Sequence, residues 1–145
     1  MRPPIKILVT EDERGDQLLL QRAFGKAGLD EQVSYVSDGG QAMEFLKQVT
    51  PDNTPQILLV DLKMPGIDGF QLLEWVGRRR SLDAMRIVVL TGSDAPSDLT
   101  RALGLGANEY HLKPKDMEDL MRLATGLKRY LKTQAALAGL TSAAQ

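Results

Sequence analysis

The 145 residues, 43% hydrophobic and 26% charged, suffice for one globular domain with a real core and leave no room for a second. With 18 basic against 19 acidic residues the formal net charge is -1, which gives no electrostatic footprint for nucleic acid; the run Arg78-Arg79-Arg80 is short and isolated and suits a solvated helix end. The lack of cysteine excludes disulfides, thiolate metal sites and thiol catalysis, and no apolar run approaches a signal-peptide core or a membrane span, so the expectation is a soluble cytoplasmic protein.

Met1-Arg2-Pro3-Pro4 leads into a strand predicted over residues 5–10, then a loop through Glu11-Asp12 to Asp16, a candidate N-cap. Leu20, Ala23, Phe24 and Ala27 follow at helical spacing and Gly28 stops that helix. Residues 32–36 fit a second strand, turned by Ser37-Asp38-Gly39-Gly40, and Ala42, Phe45, Leu46 and Val49 repeat the helical spacing until Pro51 and Pro55 bracket a polar surface loop. Residues 56–60 are a third strand, residues 62–69 a turn-rich loop, and Phe70, Leu73 and Val76 a third helix ending near Arg80. Residues 86–90 form a short β-branched run suited to a strand buried on both faces. Residues 96–106 predict a fourth helix, with Ser97 or Asp98 near its start and Leu99, Ala102 and Leu103 on its buried side. A fifth strand fits residues 109–112, and Asp116 caps a long helix carrying Leu120, Ala124, Leu127 and Leu131. Residues 1–132 would then be the folded domain, and residues 133–145, Ala-rich and without a strong apolar stripe, a frayed helix or an interaction arm.

Strands alternating with helices imply right-handed crossovers and helices on both faces of one parallel sheet, an α/β architecture. The flavodoxin-like (βα)5 arrangement, a five-stranded parallel sheet of order 2-1-3-4-5, is the natural choice, with its switch point between the first and third strands. Glu11-Asp12 and Asp61 end those two strands, while Thr91 and Lys113-Pro114 end the fourth and fifth, on the edge where such sheets gather ligand groups. Clustered carboxylates repel one another and call for a hard divalent cation, for which Mg²⁺ is suited; a hydroxyl and an ammonium beside them suit the oxygens of a phosphoryl group. Any one of these aspartates taken alone is as well explained as a cap or turn residue. Asp61, however, precedes the turn Met64-Pro65-Gly66 and lies far upstream of the helix start at Gly69, a position poor for an N-cap and good for a nucleophile that forms an acyl phosphate.

From about Ile5 to Leu131 these residues and their spacing resemble the receiver domain of bacterial two-component response regulators. The resemblance implies that Asp61, in Val60-Asp61-Leu62-Lys63-Met64-Pro65-Gly66, accepts a phosphoryl group from the phosphohistidine of a sensor histidine kinase. It further implies that Glu11, Asp12, Asp61 and the Lys63 main-chain carbonyl hold Mg²⁺, that Thr91 and Tyr110 form the switch, that Lys113 binds a phosphoryl oxygen, and that the Lys113-Pro114 bond is cis. Thr10-Glu11-Asp12-Glu13-Arg14-Gly15-Asp16, the loop at residues 50–56 and the long last helix look like the single-domain receivers associated with bacteriophytochromes. If so, the kinase would be a phytochrome and the protein would pair with itself.

Lys63 and Ser93 depart from the commonest pattern of that family. Lys63 brings a cation beside the site or points into solvent, and Ser93 is shorter than the side chain often found there, with a consequence for access of water. His111, the single histidine, falls within a strand and suits a structural or surface role better than a phosphodonor role. Trp75 and Met64 suit packing, and no Walker or dinucleotide motif follows the first strand. With no effector domain after the last helix, output would pass to an unknown downstream protein through a face carrying Asp98, Arg101, Tyr110 and Arg122. Two rivals remain. A small aspartate-dependent phosphohydrolase would need a second acid just after its nucleophile, where Leu62 and Lys63 stand, and a pseudo-receiver that is never phosphorylated would not need the full acceptor set.

Overall fold

Strands β1 (Ile7–Thr10) and β3 (Ile57–Val60) are buried along their whole length, as apolar runs enclosed by helices on both sides must be. The computed structural model describes the backbone of residues 4–144 and the side chains of residues 4–140; the reading of Met1, Arg2 and Pro3 as a lead into the first strand lies outside the described residues. With β2 (Val33–Val36), β4 (Arg86–Thr91) and β5 (Glu109–Leu112), the strands form one parallel sheet of order β2-β1-β3-β4-β5, the flavodoxin-like arrangement expected.

The strands divide their side chains between two cores because successive residues point to opposite faces. Ile7, Val9, Ile57, Leu59, Val88 and Leu90 pack under α1 (Arg14–Lys26) and α5 (Met117–Ala144). Leu8, Leu58, Val60, Ile87 and Val89 pack under α2 (Gly39–Lys47), α3 (Gly69–Gly77) and α4 (Pro96–Gly104). The four apolar positions predicted for the last helix, Leu120, Ala124, Leu127 and Leu131, are all buried, and Asp116 accepts a hydrogen bond from the Asp119 N–H at 2.8 Å, as a cap should. Lys128 ties this helix to the end of α1 by donating to the Ala27 carbonyl at 2.7 Å.

Two local expectations differ. Helix α1 is capped by Glu13, whose carboxylate accepts from the Gly15 and Asp16 N–H groups, so Asp16 lies inside the first turn with its side chain free for another partner. On α4, Ala102 is fully buried but Leu99 and Leu103 are exposed. Ala102 and the partly buried Leu105 face the core together, and at 3.6 residues per turn Leu103 falls more than a quarter-turn away from their direction. The same geometry puts Asp98, one turn before Ala102, on the inward side. Helix α5 runs to Ala144, so residues 133–144 of the segment expected to be a frayed helix or an interaction arm are helical, as an Ala-rich segment readily is.

Glycines hold the loop after β3. Gly66 takes φ 72°, a conformation that L side chains resist, and completes the Met64-Pro65-Gly66 turn. Gly69 starts α3 against the end of the strand; an added Cβ there would meet the Asp61 carbonyl oxygen at 2.4 Å and the Leu62 Cα at 2.6 Å, both main-chain atoms that cannot swing aside. Asp68 and Gln71 close a capping box on the same turn, so α3 has its own cap and Asp61 is left to other work. Gly69→Ala should therefore cost about 1–3 kcal/mol by overpacking, seen as a lower urea midpoint with unchanged slope. An unchanged midpoint would mean that α3 is loosely seated.

Candidate functional site

At the carboxyl edge of the sheet, β1, β3 and β5 deliver Glu11, Asp61 and Lys113 to one point. Main-chain bonds fix the three approaches: Glu11 N–H donates to the Val36 carbonyl at 3.1 Å, Asp61 N–H to the Thr10 carbonyl at 3.1 Å, and Lys113 N–H to the Thr91 carbonyl at 2.8 Å. The Lys113 ammonium lies 2.9 Å from Asp61 Oδ2, 2.8 Å from Glu11 Oε1 and 2.6 Å from Asp16 Oδ2. Burial alone would lower its pKa, but the bonds to Asp16, Glu11 and Asp61 outweigh that and hold it above the ordinary lysine value. Glu11 is the reverse case: burial pushes its carboxyl up to about 7, and the Lys113 bond only partly opposes this.

The Lys113–Pro114 bond, expected to be cis, is trans, and no cis bond occurs among the described residues. Trans is the lower-energy isomer of an X-Pro bond by about 0.5–1 kcal/mol, and here the lysine reaches all three carboxylates without the other.

Asp12 is exposed, and its carboxylate shares the mouth of the site: oxygens of Glu11, Asp12 and Asp61 all lie within 4.8 Å of one another. Three hard oxygen donors so close, two of them buried and served by a single ammonium, fit a small divalent cation. Asp16 was missed as a member of this group. Its signal was present, since a carboxylate four residues beyond Asp12 in a first helical turn can face back toward the strand ends, but the same position also suits a cap.

Thr91 ends β4, fully buried, and its hydroxyl accepts from the Ser93 N–H at 3.4 Å. The Tyr110 hydroxyl donates to the Ser93 carbonyl at 2.9 Å, so the two expected switch residues meet through Ser93. The Ser93 hydroxyl donates to Asp98, and Asp98 pairs with the Lys63 ammonium at 3.2 Å. That hydroxyl first, and then Lys63, hold the Asp98 carboxyl below its ordinary range. The Lys63 main-chain N–H donates to Asp61 Oδ1 at 3.2 Å, while its side chain turns away from Asp61 to α4, a third course beside the two considered from the sequence. His111 lies 2.9 Å from Glu109, which also binds Arg86 at 2.7 Å, a surface network apart from the acidic site.

The family model of the response regulator receiver domain matches residues 7–125. The chain belongs to that family. Its receiver domain is 34% identical over 129 residues to the probable methanogenesis regulatory protein FilR2 of Methanothrix harundinacea, covering 88% of this chain and 83% of that protein. It is 30% identical over 131 residues to response regulator Rcp1 of Synechocystis, covering 88% and 89%. Among solved structures, the phosphorylated cyanobacterial phytochrome response regulator RcpA superposes with a TM-score of 0.76 at 28% identity, over 88% of this chain and 94% of that one. The Mn²⁺-bound form of Rcp1 gives 0.75 at 28% identity, over 89% and 94%. Receiver domains are signalling domains of two-component systems and bind Mg²⁺ at an acidic pocket, and Glu11, Asp12 and Asp61 form an acidic cluster here. No helix among the described residues is long and apolar enough to cross a membrane.

Proposed function

We propose that this receiver domain takes a phosphoryl group from the phosphohistidine of a histidine kinase onto Asp61, in a reaction that requires Mg²⁺, and signals by protein contact. The observation that carries this reading is the Asp61 carboxylate, nearly buried, with one oxygen held by the Lys63 N–H and the other by the Lys113 ammonium, beside two further carboxylates. An oxygen of Asp61 attacks phosphorus, the phosphorus–nitrogen bond to imidazole breaks, and an acyl phosphate remains. Lys113, held in place by Glu11 and Asp16, meets the charge of the arriving phosphoryl oxygens without reorganisation. Glu11, Asp12, Asp61 and the Lys63 carbonyl would hold the Mg²⁺, which when bound offsets the negative charge gathering at phosphorus. Thr91, drawn toward the phosphoryl group, would loosen its hold on Ser93 and with it the anchor of Tyr110. In this reading the protein assists its own phosphorylation and is not a turnover enzyme.

The kinase is a phytochrome by analogy with RcpA, and residues 133–145 serve as an interaction arm of the receiver unit at residues 1–132, for a downstream protein or a second copy. Neither nucleic acid nor a membrane is a partner, and ATP-fed phosphotransfer places the work in the cytoplasm. Incubation with acetyl phosphate and Mg²⁺, followed by peptide mass spectrometry, should add one phosphate, at Asp61. Labelling at another residue, or none in folded protein, would overturn the assignment.

The Glu11 proton gives a pH signature. With its pKa near 7, binding of Mg²⁺ must displace that proton, so affinity should fall about tenfold per pH unit below 7 and level off above it. For the metal-free fold the sign is opposite: the folded state keeps the proton that the unfolded chain loses near 4.5, so stability from this group declines as pH rises from about 4.5 to about 7. Titration calorimetry from pH 5.5 to 8 checks the first claim, and Glu11→Gln should flatten the slope.

A further inference from the structure

Lys63 stands between two anions that belong to different parts of the molecule. Its main chain touches Asp61, its ammonium pairs with Asp98 in the first turn of α4, and it also lies 5.8 Å above the Phe70 ring. Asp98 is held from the other side by the Ser93 hydroxyl, and Ser93 in turn supports Tyr110 through its carbonyl. Helix α4 has no side-chain N-cap, since Ala95 occupies that position, so the Ser93–Asp98–Lys63 chain is what fastens its first turn to the loop after β3. The Lys63 side chain is 63% exposed, and an ion pair that open to water is weak and readily exchanged.

We propose that Lys63 is a shared cation: paired with Asp98 in the resting protein, it transfers to the phosphoryl oxygens when Asp61 is phosphorylated, which unlatches the first turn of α4. This rests on Asp61 being the phosphoacceptor. Phosphorylation replaces one carboxylate charge by a group carrying up to two, with strong acceptor oxygens, one residue pair away from a flexible lysine stem. The dianion competes for the exposed ammonium with the single charge of a half-buried carboxylate, and wins. Asp98 is thus a positioning residue for the acyl phosphate. It keeps Lys63 away from the site, and its loss frees Lys63 to remain there.

The consequence is a phosphoryl lifetime set from α4. In hydrolysis a water oxygen bonds to phosphorus as the bond from phosphorus to the Asp61 oxygen breaks, giving back the carboxylate and releasing inorganic phosphate, with the water's protons passing to phosphate and solvent. An ammonium resting on the phosphoryl oxygens occupies the water's approach and stabilises the ground state as much as the transition state, so it slows the loss.

The test compares wild type, Asp98→Asn, Lys63→Gln and the double variant, each phosphorylated with acetyl phosphate and Mg²⁺ and then freed of donor. Asp98→Asn should lengthen the phosphoryl half-life about two- to fivefold, the range over which a surface ion pair shifts an equilibrium, and Lys63→Gln should shorten it. In the Lys63→Gln background, Asp98→Asn should change nothing, because its effect passes through the lysine. Amide NMR provides the second readout: signals of Ser97, Asp98 and Leu99 in unphosphorylated Lys63→Gln should move toward their positions in phosphorylated wild type. An unchanged half-life in Asp98→Asn, or the same lengthening with and without Lys63, overturns the shared-cation proposal. If wild type takes no phosphate at Asp61, the acceptor assignment fails first, and that failure is seen in the mass spectrum before any half-life is measured.

Discussion

Asp61→Asn should keep the fold and take up no phosphate, from acetyl phosphate or from a phosphohistidine donor. The amide matches the carboxylate in shape and still offers a carbonyl oxygen to the Lys63 N–H or to Lys113, so the loop after β3 has no reason to move. It lacks the anionic oxygen needed to attack phosphorus. Burial is the main cause of the raised Glu11 pKa and repulsion from Asp61 adds to it, so neutralising Asp61 also relieves the metal-free site, and the variant should unfold no more easily than wild type. Intact-mass measurement and urea unfolding decide the matter. Stoichiometric phosphate on the folded variant would reject Asp61 as the acceptor.

Lys113→Ala has the largest expected cost to stability. Its ammonium serves Glu11, Asp16 and Asp61 at once, and truncation leaves the two buried carboxylates, Glu11 and Asp61, without a cation. Breaking a buried pair by removing one partner costs about 3–5 kcal/mol; the partial exposure of Lys113 and Asp16 and the readiness of Glu11 to take a proton put this case near 3 kcal/mol. The loss should be larger at pH 8 than at pH 6, where Glu11 is protonated, and Mg²⁺ should restore part of it at the higher pH. Phosphate uptake should fall by about 10²-fold, the scale of deleting one preorganised stabilising group. Urea unfolding at both pH values, with and without Mg²⁺, tests the first claim, and a wild-type midpoint at pH 8 would rule it out.

What the sequence discloses best is whatever repeats or ends a repeat. The buried runs β1 and β3 and the α5 stripe from Leu120 to Leu131 follow from period and hydrophobicity, and Glu11, Asp61 and Lys113 from their place just after such runs. It is weaker where two local solutions are nearly equal in energy. Glu13 and Asp16 both suit the start of α1, and only the position of the Lys113 ammonium selects between them. Leu99 and Leu103 satisfy helical spacing as well as Ala102 does, yet the small Ala102 allows closer approach to the sheet and turns the leucines outward. The partner of Lys63 could not be read from spacing, because Asp98 lies thirty-five positions along the chain, on a different element.

Helix α5 has 28 residues, about 42 Å at 1.5 Å per residue, and Leu131 is the last fully packed residue on it among the described side chains. The thirteen residues from 132 to 144 extend that helix by roughly 20 Å past Leu131. Such a rod acts as a pointer. A tilt of about 10° at the seat between α1 and the sheet moves the tip by about 3.5 Å, a displacement that a spin label near Leu140 can register even when the same rotation is lost among side-chain adjustments around Leu120.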